Sequence, residues 1–253
     1  MRRLRLFALL PVVTLTAALA LPSIASAGGE GEVAVPTVTG PITGGKGAPT
    51  LVTFDPSEVG YETMEYVMEG TAASYSPTSK LKRNGRWKVE PNNTAPYKTR
   101  IVVYRPADDG DFNGTVFVEW FNVSAGFDVA VDWTMAHTQI VRSGGAYVGV
   151  SAQAVGVQGG QDAIGGAASG GVKAADPDRY GTLTHPGDEF SYDIFTQAGV
   201  VAFGQASVNP LEGLKVERII GTGESQSAFR MVSYTNAIHP LTHLFDGFLI
   251  HSR

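Results

Sequence analysis

The chain has 253 residues, 43% of them hydrophobic and 17% charged, a globular balance that excludes intrinsic disorder as its overall character. Its net charge is −5 and it carries no basic stripe, so nucleic acid and anionic membrane surfaces are poor partners. The absence of cysteine excludes a disulfide scaffold, thiolate zinc, an iron–sulfur cluster, a cysteine nucleophile and a lipoprotein anchor.

In chain order, Met1–Arg5 is basic, Leu6–Leu21 is apolar, and Ala25-Ser26-Ala27 is a small-x-small cleavage site. Together these form a secretory signal peptide over residues 1–27. The apolar run is interrupted by Pro11 and falls short of the ~20 residues that span a bilayer. The expected product is therefore secreted or periplasmic and has no membrane anchor. Residues 28–49 are rich in Gly, Pro and Thr and read as a flexible lead-in. Gly40–Lys46 approaches a phosphate-binding loop, but Gly47-Ala48-Pro49 follows instead of a Ser or Thr and a helix, so no nucleotide is expected.

Residues 50–253 are expected to form one α/β domain. Its first part, to about residue 100, reads as β-rich, with Glu65–Tyr75 and Arg86–Val89 the strand-like runs. From Thr99 strands and helices alternate, the mark of a mostly parallel sheet with helices on both faces. Strands are predicted at Thr99–Tyr104, Thr115–Phe121, Ala146–Ser151, Val216–Ile220 and Phe245–Ile250. A helix is predicted over Asp128–Arg142, capped by Asp128 and closed by Gly144. Two more are predicted, at Asp188–Phe203 with Asp188 as cap and at Ser225–Ile238 with Pro240 as terminator. Ala154–Val172 is glycine-dense and reads as an irregular flap; it lacks the dinucleotide fingerprint. Trp120 and Trp133 are expected in the core, with an acyl pocket as the other place for them.

Gly223-x-Ser225-x-Ser227 follows a buried strand and opens an amphipathic helix. That is the setting of a nucleophile elbow, where a serine occupies a sharp strand-to-helix turn and its neighbours must be small. Ser225 is thus the candidate nucleophile, a plain helix-capping serine being the other reading. Ser151, in Gly149-Val-Ser151-Ala-Gln153, is the nearest competitor but ends a strand without opening a helix. Oxyanion donors are expected from the backbone N–H of Gln226 and from the loop after Thr115–Phe121, where Asn122 and Val123 sit. A local turn held by the Asn122 side chain is the alternative there.

The runs Gly114–Ser124, Val148–Gln153, His185–Asp188 with Ser191–Ile194, and Gly223–Ala228 carry a resemblance to the alpha/beta hydrolase fold superfamily. More narrowly, the chain is similar to a bacterial family of exported alpha/beta hydrolase domain proteins, over roughly residues 60 to 253. The resemblance implies a serine hydrolase of the esterase type, acting on a small-molecule ester and needing no cofactor. It also implies the order nucleophile, acid, histidine, with both partners after later strands. On that order they lie beyond residue 253, and the chain is expected to be a fragment whose last strands are missing. Within the chain, His185 is the candidate for lining the pocket or acting as a substitute base, and His251 follows the last predicted strand. His137 is expected at a surface; His239 and His243 have metal-pair spacing, but Pro240 breaks the helix that spacing needs, so no metal is expected. The alternative to an enzyme is a catalytically inactive, hydrolase-like binding or interaction protein.

Overall fold

In the computed structural model residues 33–47, 54–161 and 169–253 are described; the predicted signal peptide lies outside them. The strands are β1 (Thr37–Thr39), β2 (Tyr61–Pro77), β3 (Val89–Pro106), β4 (Thr115–Trp120), β5 (Ala146–Val150), β6 (Arg218–Glu224) and β7 (Gly247–His251). The helices are α1 (Val131–Ser143), α2 (Ala154–Gln158), α3 (Gly171–Ala175), α4 (Pro177–Tyr180), α5 (Ser191–Ala202), α6 (Gln226–Ser233) and α7 (His239–Thr242). All seven strands join one sheet in the order β1-β2-β3-β5-β4-β6-β7. The first three and the β3–β5 pair are antiparallel, while β5, β4, β6 and β7 run parallel.

Alternation along the strands builds two cores. Ile101, Val103, Val148 and Val150 face the layer that contains α5, whereas Val102, Tyr104 and Tyr147 face α1. Side chains of one strand alternate between faces, so strands covered on both sides read as continuous apolar runs. On the α1 side, Trp133 stacks on Tyr104 with ring centroids 4.2 Å apart. On the other side Trp120 meets Phe195 of α5 at 5.2 Å. Both tryptophans are core residues.

Several details depart from the sequence reading. Part of the expected flexible lead-in is a strand, β1, paired with Val67–Glu69 of β2. Asp128 does not cap α1. The cap comes from Glu119 of β4, whose carboxylate accepts from the Asp132 and Trp133 N–H groups at 3.0 and 3.1 Å. Gly144 does close α1, with φ 75°. Asp188 opens a 3-10 turn instead of capping α5. The glycine-dense segment holds α2 and α3, with residues 162–168 outside the described part. The last predicted helix passes from α6 into a π turn, Tyr234–Ile238, and Pro240 sits in the first turn of α7 rather than ending the helix.

The connectivity fixes where a ligand belongs. From β4 the chain crosses through α1 to β5 on one side, then returns through α5 to β6 on the other. Loops leaving the carboxyl ends of β4 and β6 therefore diverge around a crevice, the topological switch point where open α/β sheets bind ligands.

Candidate active site

β6 continues four residues beyond its predicted end, straight to Ser225, and α6 begins at the next residue. Ser225 has φ 51° and ψ −110°. A residue with a Cβ rarely occupies that region, and holding it there costs on the order of 1–3 kcal/mol. The turn is held from both sides: Ser225 N–H donates to the His251 carbonyl at 3.1 Å, and Ser227 clamps the helix start. The Ser227 hydroxyl accepts from Glu224 N–H at 3.0 Å and donates to Glu224 O at 2.9 Å. A Cβ on Gly223 would approach Met231 Cγ to 2.6 Å and the Ser227 backbone to 3.2 Å, so the small residues of the motif are a packing requirement. The Ser225 side chain makes no capping bond. It is half-buried at the mouth of the crevice, free of the helix it precedes.

Gln226 is the first residue of α6, where a backbone N–H has no acceptor within the helix and the helix dipole favours negative charge. Across the crevice Asn122, 4% exposed, ties the β4 loop to the elbow. Its Nδ2 donates to Glu224 O at 3.0 Å and its Oδ1 accepts from Ser124 N–H at 2.8 Å. Val123 N–H points to the same place and donates to Gln226 Oε1 at 3.3 Å. The structure thus brings Ser225, Gln226, Asn122 and Val123 together.

Sequence reasoning missed the polar chain behind them. Gln226 Nε2 donates to Gln153 Oε1 at 2.9 Å, and the same oxygen accepts from Trp120 Nε1 at 3.0 Å. Gln153 Nε2 in turn donates to Asp188 Oδ2 at 2.8 Å, which also holds Arg230 at 2.7 Å. The only sequence signal was that Gln153 closes the run after β5, at the sheet edge that carries the site.

The histidines separate clearly. His185 is 3% exposed, and both ring nitrogens are engaged: Nε2 with Ala152 O at 2.9 Å, Nδ1 with Gly187 N–H at 3.2 Å. Burial holds its imidazole below the usual histidine range, which keeps it neutral. A ring with both nitrogens committed has no lone pair left for a substrate proton, so its geometry suits a wall and not a base. His137 Nδ1 meets the carbonyls of Trp133 and Thr134, both at 3.1 Å, and its ring packs on Phe54. His239 and His243 lie with ring centroids 5.4 Å apart, and among the described residues no group of three or more metal-binding side chains gathers. His251 ends β7 beside the elbow, with Nε2 2.5 Å from Asp132 Oδ1.

Below the crevice lies a buried ionic cluster. Arg100 pairs with Glu65 at 2.7 Å and Asp128 at 3.3 Å, and its Nε donates to Ser151 Oγ at 3.1 Å. Ser151 is fully enclosed and donates to Asp128 at 2.5 Å, so it has no access to a substrate. Next to this cluster a cavity of about 400 Å³ is lined by Phe127, Val172, Ala174 and Ala175, with Asp128 among its walls. No helix among the described residues is long and apolar enough to cross a membrane.

A family model described as alpha/beta hydrolase domain matches residues 38–253. A search of curated proteins finds no match. Among solved structures, the chain is similar to a carbohydrate esterase family 15 (CE15) glucuronoyl esterase from Caldicellulosiruptor kristjansonii, at 11% identity and a TM-score of 0.31. The match covers 77% of this chain and 44% of that one, so the chain spans less than half the length of that esterase.

Proposed function

Because the chain belongs to the alpha/beta hydrolase domain family, we propose that it is an exported serine hydrolase that cleaves a carboxylic ester through an acyl-enzyme. Export rests on the leader pattern at residues 1–27. The reaction rests on one observation above all: Ser225 stands at a strained strand-to-helix turn with its hydroxyl uncommitted. A helix-capping serine would have a relaxed extended backbone and would spend its oxygen on the helix.

In this reading Ser225 Oγ attacks the acyl carbon, and the developing negative oxygen is met by Gln226 N–H and Val123 N–H. Each such donor contributes about 3 kcal/mol to the transition state. Gln226 Oε1, a carbonyl oxygen bonded to Val123 N–H at 3.3 Å, marks the seat that the substrate's acyl oxygen takes when it displaces the side chain. No cofactor enters the scheme.

Labelling with a fluorophosphonate tests it, since only an activated serine reacts at a useful rate. The expected result is a labelled wild type, with the adduct on Ser225, and an unlabelled Ser225→Ala. A folded wild type that takes no label would favour a hydrolase-like binding protein instead.

A further inference from the structure

The backbone N–H of Gln226 is one of the two oxyanion donors of the proposed reaction, and its side chain turns back onto the other. Oε1 accepts from Val123 N–H at 3.3 Å, and Nε2 donates to Gln153 Oε1 at 2.9 Å. Val123 is 6% exposed and Gln153 2%, so the amide closes a slot that is nearly sealed from water. One carboxamide therefore covers a donor with its oxygen and an acceptor with its nitrogen.

The groups behind this amide settle which way round it lies. Trp120 Nε1 is a donor only, so the Gln153 atom it meets at 3.0 Å is the oxygen. The Gln226 atom on that same oxygen is then its NH2, and the Gln226 carbonyl is left for Val123 N–H. At the far end Gln153 Nε2 donates to Asp188 Oδ2 at 2.8 Å, an oxygen that also holds Arg230 at 2.7 Å. Every link runs in one direction. The two bonds of Gln226 differ in quality: 2.9 Å is an ordinary length, whereas 3.3 Å lies beyond the usual range of about 2.7–3.2 Å. The amide is tethered at Gln153 and loosely seated on Val123.

We propose that the Gln226 side chain is the specificity-determining group of the site: it fills the oxyanion seat until an acyl group that carries its own hydrogen-bond donor beside the carbonyl takes over both of its contacts. This rests on the reading of Ser225 as nucleophile. A plain ester offers its acyl oxygen to Val123 N–H, but the only polar atom beside that oxygen is a second acceptor, which Gln153 Oε1 repels. An O–H or N–H on the carbon next to the carbonyl supplies the missing donor, as in a 2-hydroxyacyl or 2-aminoacyl ester. A buried group that expects a donor rejects the analogue lacking one far more sharply than an apolar wall rejects a missing methylene. The selected substrate class is therefore the ester of a 2-hydroxy or 2-amino acid.

The test has two arms, both read as the rate at which an alkyl fluorophosphonate labels Ser225 in the full chain. The first compares wild type with Gln226→Ala and Gln226→Met, each checked for folding by its melting temperature; the backbone N–H is kept in both. The probe's phosphoryl oxygen brings no donor, so clearing the seat is expected to speed labelling about threefold or more. A side chain that merely braced the elbow would slow labelling when cut away, and the sign of the change separates the two roles. If Gln226→Ala unfolds, Gln226→Met decides. The second arm uses wild type alone and measures protection from the label by methyl lactate, methyl propionate and methyl 2-methoxypropionate. Methyl lactate is expected to protect at a concentration about tenfold below the other two, one of which lacks the oxygen and the other only its proton. Folded variants that label no faster than wild type overturn the proposal and leave the serine hydrolase reading intact. A methyl lactate that fails to outdo both other esters does the same. If neither wild type nor Gln226→Ala takes label on Ser225, the hydrolase reading falls, and the proposal falls with it.

Discussion

If Ser225 is held in a strained backbone for the sake of its hydroxyl, removing the strain should stabilise a dead protein. Its φ of 51° with ψ of −110° is a region that glycine adopts without steric cost. Such a conformation costs on the order of 1–3 kcal/mol in a residue with a Cβ. Ser225→Ala removes the hydroxyl and keeps the strain; Ser225→Gly removes both. Glycine gives back about 0.4–1 kcal/mol through the greater freedom of its unfolded chain. The net gain of Gly over Ala is then about 1 kcal/mol, or about 2–4 °C in Tm for a domain of this size. Thermal unfolding followed by circular dichroism measures it, with neither variant taking the fluorophosphonate. Ser233 supplies the control, since its φ of −65° and ψ of −41° are helical. There the order should reverse, with Gly about 1 kcal/mol below Ala. A Ser225→Gly that melts at or below Ser225→Ala would refute the claim that the elbow stores strain.

Gly223→Ala places a Cβ 2.6 Å from Met231 Cγ; overpacking of this kind costs about 1–3 kcal/mol, and Ser225 labelling should slow as α6 shifts, both readable on the purified variant. Burial, with the Asp132 charge adding to it, pushes the Glu119 carboxyl up to about 8. An acid that binds its proton more tightly folded than unfolded stabilises the fold at low pH and loses that contribution as pH rises through its folded pKa. Wild-type denaturant midpoints should therefore fall between about pH 5 and pH 8, and Glu119→Gln should flatten the slope; an unchanged slope would assign the effect elsewhere. Arg100→Met leaves Asp128 buried without its cation, while Glu65 keeps Arg179 at 2.6 Å; breaking a buried pair in this way costs about 3–5 kcal/mol and should lower Tm by roughly 10 °C. A drop of less than about 2 °C would show that the cluster relaxes by taking up protons or water.

The parallel part of the sheet is legible from the residues alone because its strands are covered on both faces. Thr115–Phe121 and Ala146–Ser151 are near-continuous apolar runs, and the observed β4 and β5 fall within them. The elbow is legible because its glycine and serines must be small for a reason local to the turn. What is not legible depends on partners distant in sequence. Both predicted aspartate caps failed in this way: Asp128 is drawn to Arg100 from β3, and Asp188 to Gln153 and Arg230. No local pattern signals that Glu119, thirteen residues before Asp132 and on a strand, caps α1. β6 runs to Glu224, past the predicted end at Ile220, and its Gly221 and Gly223 make room for Phe248 and Met231. The ionic Arg100 cluster sits within strands whose apolar pattern hides it.

One strand end explains why these features meet at a single place. Alternation sends Glu119 of β4 toward α1 and Trp120 toward α5. Glu119 fixes the helix start that carries Asp132, and Asp132 reaches His251 two strands away. Trp120 donates to Gln153, which holds the Gln226 side chain that rests on Val123 N–H. The chain then turns at Asn122, which grips the backbone of Glu224 just before Ser225. Glu119, Trp120 and Asn122 therefore set the two flanks of Ser225, one through α1 and the other through the glutamines. A one-residue slip of β4 would exchange Glu119 and Trp120 between the two faces and undo both flanks at once. The buried hydrogen bonds on each face hold the register against that slip, so the precision of the site is set by β4 more than by the loops that display it.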